Sequence, residues 1–405
     1  MTLPAQRLPA LDALRGLACL LIVWHHLAFY GPMSDVVHPY APWLTGWLVD
    51  YGRMAVQVFL VVAGFLAAAS LAPQGVAGFA YPGRLIFRRY RRLLPPYLVA
   101  VAASVMVAAL VRPWFDHGSV PAAPTWLQIV AHALLLQDLL GEEALSAGLW
   151  YVAIDLQLFA VGVLLLSLAR RLALRWPGLP DQLGVWLVSA LALMSLFFFN
   201  RQPGLDTTAL YFFASYALGM LAFWITARAS ELAQTRWVWC VAAVCALALV
   251  LDFRGRMALA MAVALLLVWL QSSWQSGRPP AGLRQRWLEQ IGLRSYSIFL
   301  IHFPVCVLVN AVVSHFWPMQ LVANVLGLLA AFTLSLLAGA LLYRGVEARG
   351  SAALRRPQPT NAALQEPPGA EAPERGHTAV WVRGARCAAL APSAPMMQNE
   401  PSNRL

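Results

Sequence analysis

The chain has 405 residues, of which 60% are hydrophobic and only 12% charged, against roughly a quarter charged in ordinary soluble domains. That is too little charge to coat the water-facing surface of two or three domains, so a soluble globular protein is excluded and lipid is the solvent. The net charge of +11 comes wholly from arginine, because the sequence contains no lysine; these arginines lie between apolar runs and form no basic domain, so no nucleic-acid partner is expected.

A spanning helix needs about 20 mostly apolar residues. The first candidate, residues 11–30, has no small-residue cleavage site and reads as a span rather than a signal peptide. It carries Asp12, Arg15, His25 and His26. Arg15 and His26 stand about three turns apart, so both project from one helix face with an axial separation of about 16 Å. Asp12 lies one turn before Arg15 and can pair with it. Two readings stay open here: a functional face, or an arginine snorkelling to headgroups beside histidines satisfied by other helices. His25 ranks below His26, because one residue turns it about 100° away.

The second span covers 53–72 and the third 93–111. Between them, Arg88-Arg89-Tyr90-Arg91-Arg92 precedes Leu93-Leu94-Pro95-Pro96. Guanidinium groups pair bidentately with phosphates, so this is an anion-binding patch or, more blandly, an anchor on anionic lipid. The apolar stretch 126–140 is short and carries Gln128, His132, Gln137 and Asp138; it reads as a short extracytoplasmic surface or re-entrant helix and not as a span.

The fourth span, 148–168, places Tyr151 and Asp155 one turn apart on one face. A carboxylate there stays charged only with a cationic partner from another helix. Spans at 184–200, 207–226, 237–251 and 255–271 follow. The ninth, 291–313, carries Ser295 and His302 two turns apart, with Pro304 expected to kink the helix. A lone intramembrane histidine of this kind has a structural reading as well as a catalytic one. The tenth span is 320–343.

This gives an all-α, polytopic membrane domain over residues 1–349. The Pro- and Ala-rich stretch 350–405 cannot bury a core and is expected to be a disordered cytoplasmic tail. With ten spans and both termini cytoplasmic, the inner segments hold fourteen arginines, among them Arg7, Arg278 and Arg284, and the outer segments four: Arg112, Arg201, Arg254 and Arg256. Counting 126–140 as a span would move Arg170, Arg171 and Arg175 outside, against the positive-inside rule. Cys19, Cys240, Cys245 and Cys306 fall in apolar segments and Cys387 in the tail. None has paired or metal-ligand spacing, so neither a disulfide framework nor a metal is expected.

Taken in order, these segments resemble the membrane acyltransferase-3 family, which includes O-antigen, exopolysaccharide and peptidoglycan O-acetyltransferases. The resemblance rests on Leu11-Asp12 to Arg15 followed by His26, on Val58-Phe59 through Ala63-Gly64-Phe65-Leu66, and on Arg89 and Arg92 before Pro95. It continues through Trp150 to Phe159, Ser295-Tyr296 to His302-Phe303-Pro304, and Tyr343-Arg344 to Glu347. The family often has Ser where Ala63 stands, and Ser and Glu where Tyr151 and Asp155 stand. The likeness covers about residues 8–349, without an appended extracytoplasmic domain, as in a stand-alone member.

The resemblance implies transfer of an acyl group, acetyl in the first instance, from cytoplasmic acyl-CoA to a hydroxyl of a carbohydrate or glycolipid acceptor, by a multi-pass protein of the inner or plasma membrane. The residues suit that role. Arg88, Arg89 and Arg92, with Arg15, are expected to meet the phosphates of the coenzyme. His26 is expected to act as general base, because an imidazole titrates near neutral pH; Asp155 and His302 would orient or stabilise. Direct transfer and a covalent acyl-enzyme both stay open. The rival readings are a secondary transporter, against which stands the lack of a repeated half, and a non-catalytic relative, suggested by Ala63 and Asp155. The sequence leaves acceptor identity, acyl length and oligomeric state open.

Overall fold

A computed structural model describes residues 9–228, 230–277 and 285–355. Arg7, Arg278, Arg284, Cys387 and the expected tail from residue 356 onward lie outside the described residues. Among those described, all regular structure is helical: α1 (Pro9–Phe29), α2 (Pro32–Val37), α3 (Pro42–Tyr51), α4 (Val56–Leu71), α5 (Pro82–Val111), α6 (Trp126–Ala133), α7 (Leu149–Arg175), α8 (Leu183–Phe197), α9 (Ala209–Thr226), α10 (Glu231–Leu251), α11 (Gly255–Gln275), α12 (Arg286–Phe316), α13 (Leu321–Leu342) and α14 (Ala348–Arg355). A 3-10 turn, Gly52–Ala55, links α3 to α4, and a π-helical turn, Tyr343–Glu347, links α13 to α14. Among the described residues, ten stretches are long and apolar enough to cross a membrane, one for each expected span.

Two spans start much earlier than the apolar pattern suggests. α3, the 3-10 turn and α4 form one apolar stretch, Pro42–Leu71. α5 starts at Pro82, so the Arg88–Arg92 run is helical and not a loop. Pro82 suits a first turn, where its missing N–H has no intrahelical partner, and arginine is a good helix former. Pro95 and Pro96 remove the bonds to the carbonyls of the preceding turn, yet α5 continues through both; it packs against α12, where the Tyr296 hydroxyl donates to Leu93 O at 2.8 Å. α12 likewise continues through Pro304.

Lipid gives helices no hydrophobic reason to associate with each other, so close packing of small residues takes over. Gly292 faces Asp12 O, and Gly16 faces Leu288 O; a Cβ there would lie 1.7 and 2.3 Å from those oxygens. Gly64 and Gly219 bring α4 and α9 together in the same way, each with 1.8 Å to a facing carbonyl oxygen. α9 is the central span, with 83% of its apolar window buried against 11% for the peripheral α10.

α6 re-enters beside α5. A reciprocal cap starts it: Gln128 N donates to Thr125 Oγ1, and Thr125 N to Gln128 Oε1. The Tyr90 hydroxyl donates to Ala133 O at 2.8 Å, far down α5 from its Val111 end. His132 staples the return, since its Nδ1 bonds Gln128 O and its Nε2 accepts from Leu145 N. That histidine is structural. The returning chain delivers Gly148 and the start of α7 to the interior.

Candidate active site

α1 and α12 run side by side, and the side chains that the sequence singled out on each meet at one point. His26 Nδ1 lies 2.7 Å from His302 Nε2. The other ring nitrogen of His302, Nδ1, lies 2.7 Å from Phe299 O. A carbonyl only accepts, so His302 carries its proton on Nδ1 and its Nε2 is a lone pair. That lone pair takes the Nδ1 proton of His26, which leaves the lone pair of His26 on Nε2. His302 is fully buried, and His26 is 8% exposed. The second ring therefore fixes the tautomer and orientation of the first, the task a carboxylate performs in a catalytic triad.

His26 lines a cavity of about 470 Å³ at the Phe29 end of α1, with His25, Tyr30, Asp50, Arg53 and Trp150 among its walls. The size suits a small ligand. His25 has a separate role. Its Nδ1 donates to Leu48 O at 2.9 Å, and its Cβ lies 2.9 Å from where a Cβ of Gly52 would stand. His25 thus clamps α3 and the following 3-10 turn to α1. Asp50 and Arg53, on that clamped corner, were not legible as site residues, because residue 53 reads as the first residue of an apolar span.

Asp155 does find the cationic partner its position demands. Arg89 Nη2 lies 2.7 Å from each carboxylate oxygen, and Arg89 Nε lies 3.1 Å from Oδ2. The Arg89 guanidinium also stacks 4.6 Å from the centre of the Phe159 ring. Between this pair and the histidines stand three mutually packed rings, Phe59, Tyr151 and Phe299. Gly148 abuts them at φ +86 with the Phe299 ring 2.9 Å from a would-be Cβ. Only glycine fits both the backbone and the space.

The remaining expected residues sit toward the Pro9 end of α1. Arg15 pairs with Asp12 at 3.7 Å. Arg88 and Arg92 are exposed. Glu347, in the π-helical turn, accepts from Ser297 Oγ at 2.6 Å and lies within the field of Arg92 and Arg15. The site residues thus form two groups: His26 with His302, and Asp155 with the arginines. Among the described residues, no set of three His, Cys, Asp or Glu side chains is arranged to hold a metal ion.

Comparison with known proteins bears on the family. A family model described as an acyltransferase domain matches residues 8–344. The Bacillus subtilis (strain 168) protein YrhL, named for peptidoglycan O-acetyltransfer, is 25% identical over 334 residues, covering 74% of this chain and 49% of its own. A Caenorhabditis elegans protein, Regulator of hypoxia-inducible factor 1, is 28% identical over 188 residues, covering 42% of this chain and 36% of its own. The chain therefore spans half or less of the length of these relatives. No solved structure matches it significantly.

Proposed function

The chain belongs to the membrane acyltransferase-3 family, and from that premise we propose that it moves an acetyl group from cytoplasmic acyl-CoA to a hydroxyl of a cell-envelope or secreted carbohydrate. The acyltransferase activity follows from the family. The named relative supports a carbohydrate acceptor, and the arginine distribution supports cytoplasmic termini in an inner or plasma membrane. In that orientation the His26 cavity opens toward the extracytoplasmic side and the Arg88–Arg92 turn of α5 faces the cytosol.

The observation that carries the reading is the 2.7 Å contact between His26 and His302. Acyl transfer to a hydroxyl needs a base within reach of the hydroxyl proton. With His26 Nδ1 bonded to His302, His26 Nε2 takes that proton as the hydroxyl oxygen attacks the thioester carbonyl. The C–O bond forms, the C–S bond breaks, and the proton passes to the departing thiolate. His302 stabilises the transient imidazolium by accepting from its Nδ1. The coenzyme phosphates meet Arg88 and Arg92 with Arg15, and its arm runs along α1 toward His26, a distance of about 16 Å from Arg15. Arg89, held by Asp155 through Nε and Nη2, positions this wall.

The test is mass spectrometry of envelope and secreted glycans from cells with the chain, without it, and with His26→Ala. Acetyl esters that need the chain and vanish with His26→Ala are expected. Glycans acetylated equally in all three strains would refute the proposal.

A further inference from the structure

The reading above leaves open which part of the protein recognises the acceptor. The geometry points to the corner between α3 and α4 as the acceptor-recognition element: Asp50 and Arg53 hydrogen-bond the hydroxyl-bearing ring of a sugar and thereby set which hydroxyl reaches His26. The inference rests on the proposed acyl transfer to carbohydrate and adds the residues that choose the acceptor.

Three observations support it. First, both side chains line the cavity that holds His26, and both are exposed. Neither residue takes part in the ion pairs of Arg15, Arg89, Arg201 and Arg254. This corner thus offers an anionic acceptor group beside a fork of cationic donors, the complement of adjacent sugar hydroxyls, each both donor and acceptor.

Second, the other arginines at this end of the bundle are engaged elsewhere. Arg112 donates to Pro121 O; Arg254 donates to Asn200 Oδ1 and Leu196 O, and Arg256 to Asn200 O. Arg201 pairs with Asp252. Those four fasten the loops that carry them. Arg53 is held by no such bond, and it faces the cavity.

Third, the corner is registered against the catalytic helix more tightly than a loop requires. His25 bonds Leu48 O on one side of Asp50, and Gly52 packs without room for a Cβ against His25 between Asp50 and Arg53. Recognition that selects one hydroxyl demands fixed spacing from the base. Here the neighbour of His26 in sequence supplies it. Trp150, also in the cavity wall and stacked on Phe212, offers a flat apolar face for the ring.

The test uses the full-length chain in detergent with radiolabelled acetyl-CoA and, as acceptor, a muramidase digest of the host envelope together with its secreted polysaccharide. Asp50→Asn and Arg53→Gln should each raise the glycan concentration for half-maximal transfer by about tenfold or more, several times their effect on the same measure for acetyl-CoA. His25→Ala should act in the same direction. His25→Asn, whose amide can stand where Nδ1 does and donate to Leu48 O, should recover most of the loss. Glycan dependence like the wild type in both Asp50→Asn and Arg53→Gln, or equal effects on both substrates, would overturn the inference. Wild-type protein that acetylates neither glycan pool, or a His26→Ala protein that still acetylates them, would instead sink the functional reading on which it rests.

Discussion

Arg89 and Asp155 join α5 to α7 through a two-pronged ion pair, with the guanidinium 2.7 Å from both carboxylate oxygens. The Asp155 side chain is only 9% exposed and that of Arg89 27%. The pair is therefore a strut between two spans, made through Nε and Nη2 of the arginine. Its neighbours Arg88 and Arg92 lie on the exposed side of the same turn.

Breaking such a pair leaves a charge without compensation in a poorly hydrated site, at a cost of about 3 kcal/mol or more. Arg89→Ala and Asp155→Ala should both lower the unfolding temperature in detergent and the yield of folded protein. The double variant should lose clearly less than the two single losses combined, because neither charge is then stranded. Additive losses would show that the pair is not coupled.

Arg88→Ala with Arg92→Ala should behave differently. Both residues are exposed, so the unfolding temperature should fall less than in Arg89→Ala. Donor use should weaken through KM, by about tenfold for the loss of charge-assisted contacts, and the effect should shrink as salt is raised. A loss confined to kcat, with donor KM unchanged, would place the phosphates elsewhere.

The helical class, ten spans and the family were legible because each rests on local composition or on residue order along the chain. Apolar runs of spanning length survive in any packing arrangement, and Arg15, His26, Arg89 and His302 could be singled out because ionisable groups in lipid are rare. Their pairing was not legible. Nothing in the sequence distinguishes Arg89 from Arg88 or Arg92 as the partner of Asp155; the rotation of α5 against α7 decides it. Nor does sequence show that His302 Nε2 faces His26, since the relation depends on the stagger of two helices more than 270 residues apart in the chain. Asp50 and Arg53 were hidden for another reason: a hydropathy window sees them as the fringe of a span, whereas their role follows from a cavity formed by α1, α3, α7 and α12.

His302 acts through His26, so its removal should be milder than removal of the base. His26→Ala should reduce transfer by about 10²–10⁴-fold, the usual worth of general-base catalysis. His302→Ala should cost about 10–100-fold in kcat with KM values little changed, as for a group that orients another. His302→Gln offers a carbonyl oxygen near the position of Nε2 and should regain part of that loss. If His302→Gln were as impaired as His302→Ala while remaining folded, the accepting role assigned to Nε2 would be wrong.

The His26–His302 contact depends in turn on how closely α1 and α12 approach. Gly16 and Gly292 set that approach on one side of the pair. Gly31 sets it on the other, packed against Asn310, whose side chain accepts from Met33 N. A Cβ at residue 292 would lie 1.7 Å from Asp12 O, a backbone atom that cannot swing aside, so Gly292→Ala must push the helices apart. A hydrogen bond of 2.7 Å fails once its atoms separate by about 1 Å more, and a misplacement of about 1 Å at a reacting group can cost about 100-fold in rate. Gly292→Ala should therefore lower transfer by at least about tenfold even where the protein still inserts and folds. Gly83→Ala is the control: Gly83 is also helical, but no atom lies within 4 Å of its would-be Cβ, so the gain in helix propensity should leave stability equal or slightly higher. Transfer rates measured on the two variants, alongside unfolding temperatures, separate close packing from a general dislike of alanine. Full activity in Gly292→Ala would mean that the two histidines are held together by something other than the glycine contact.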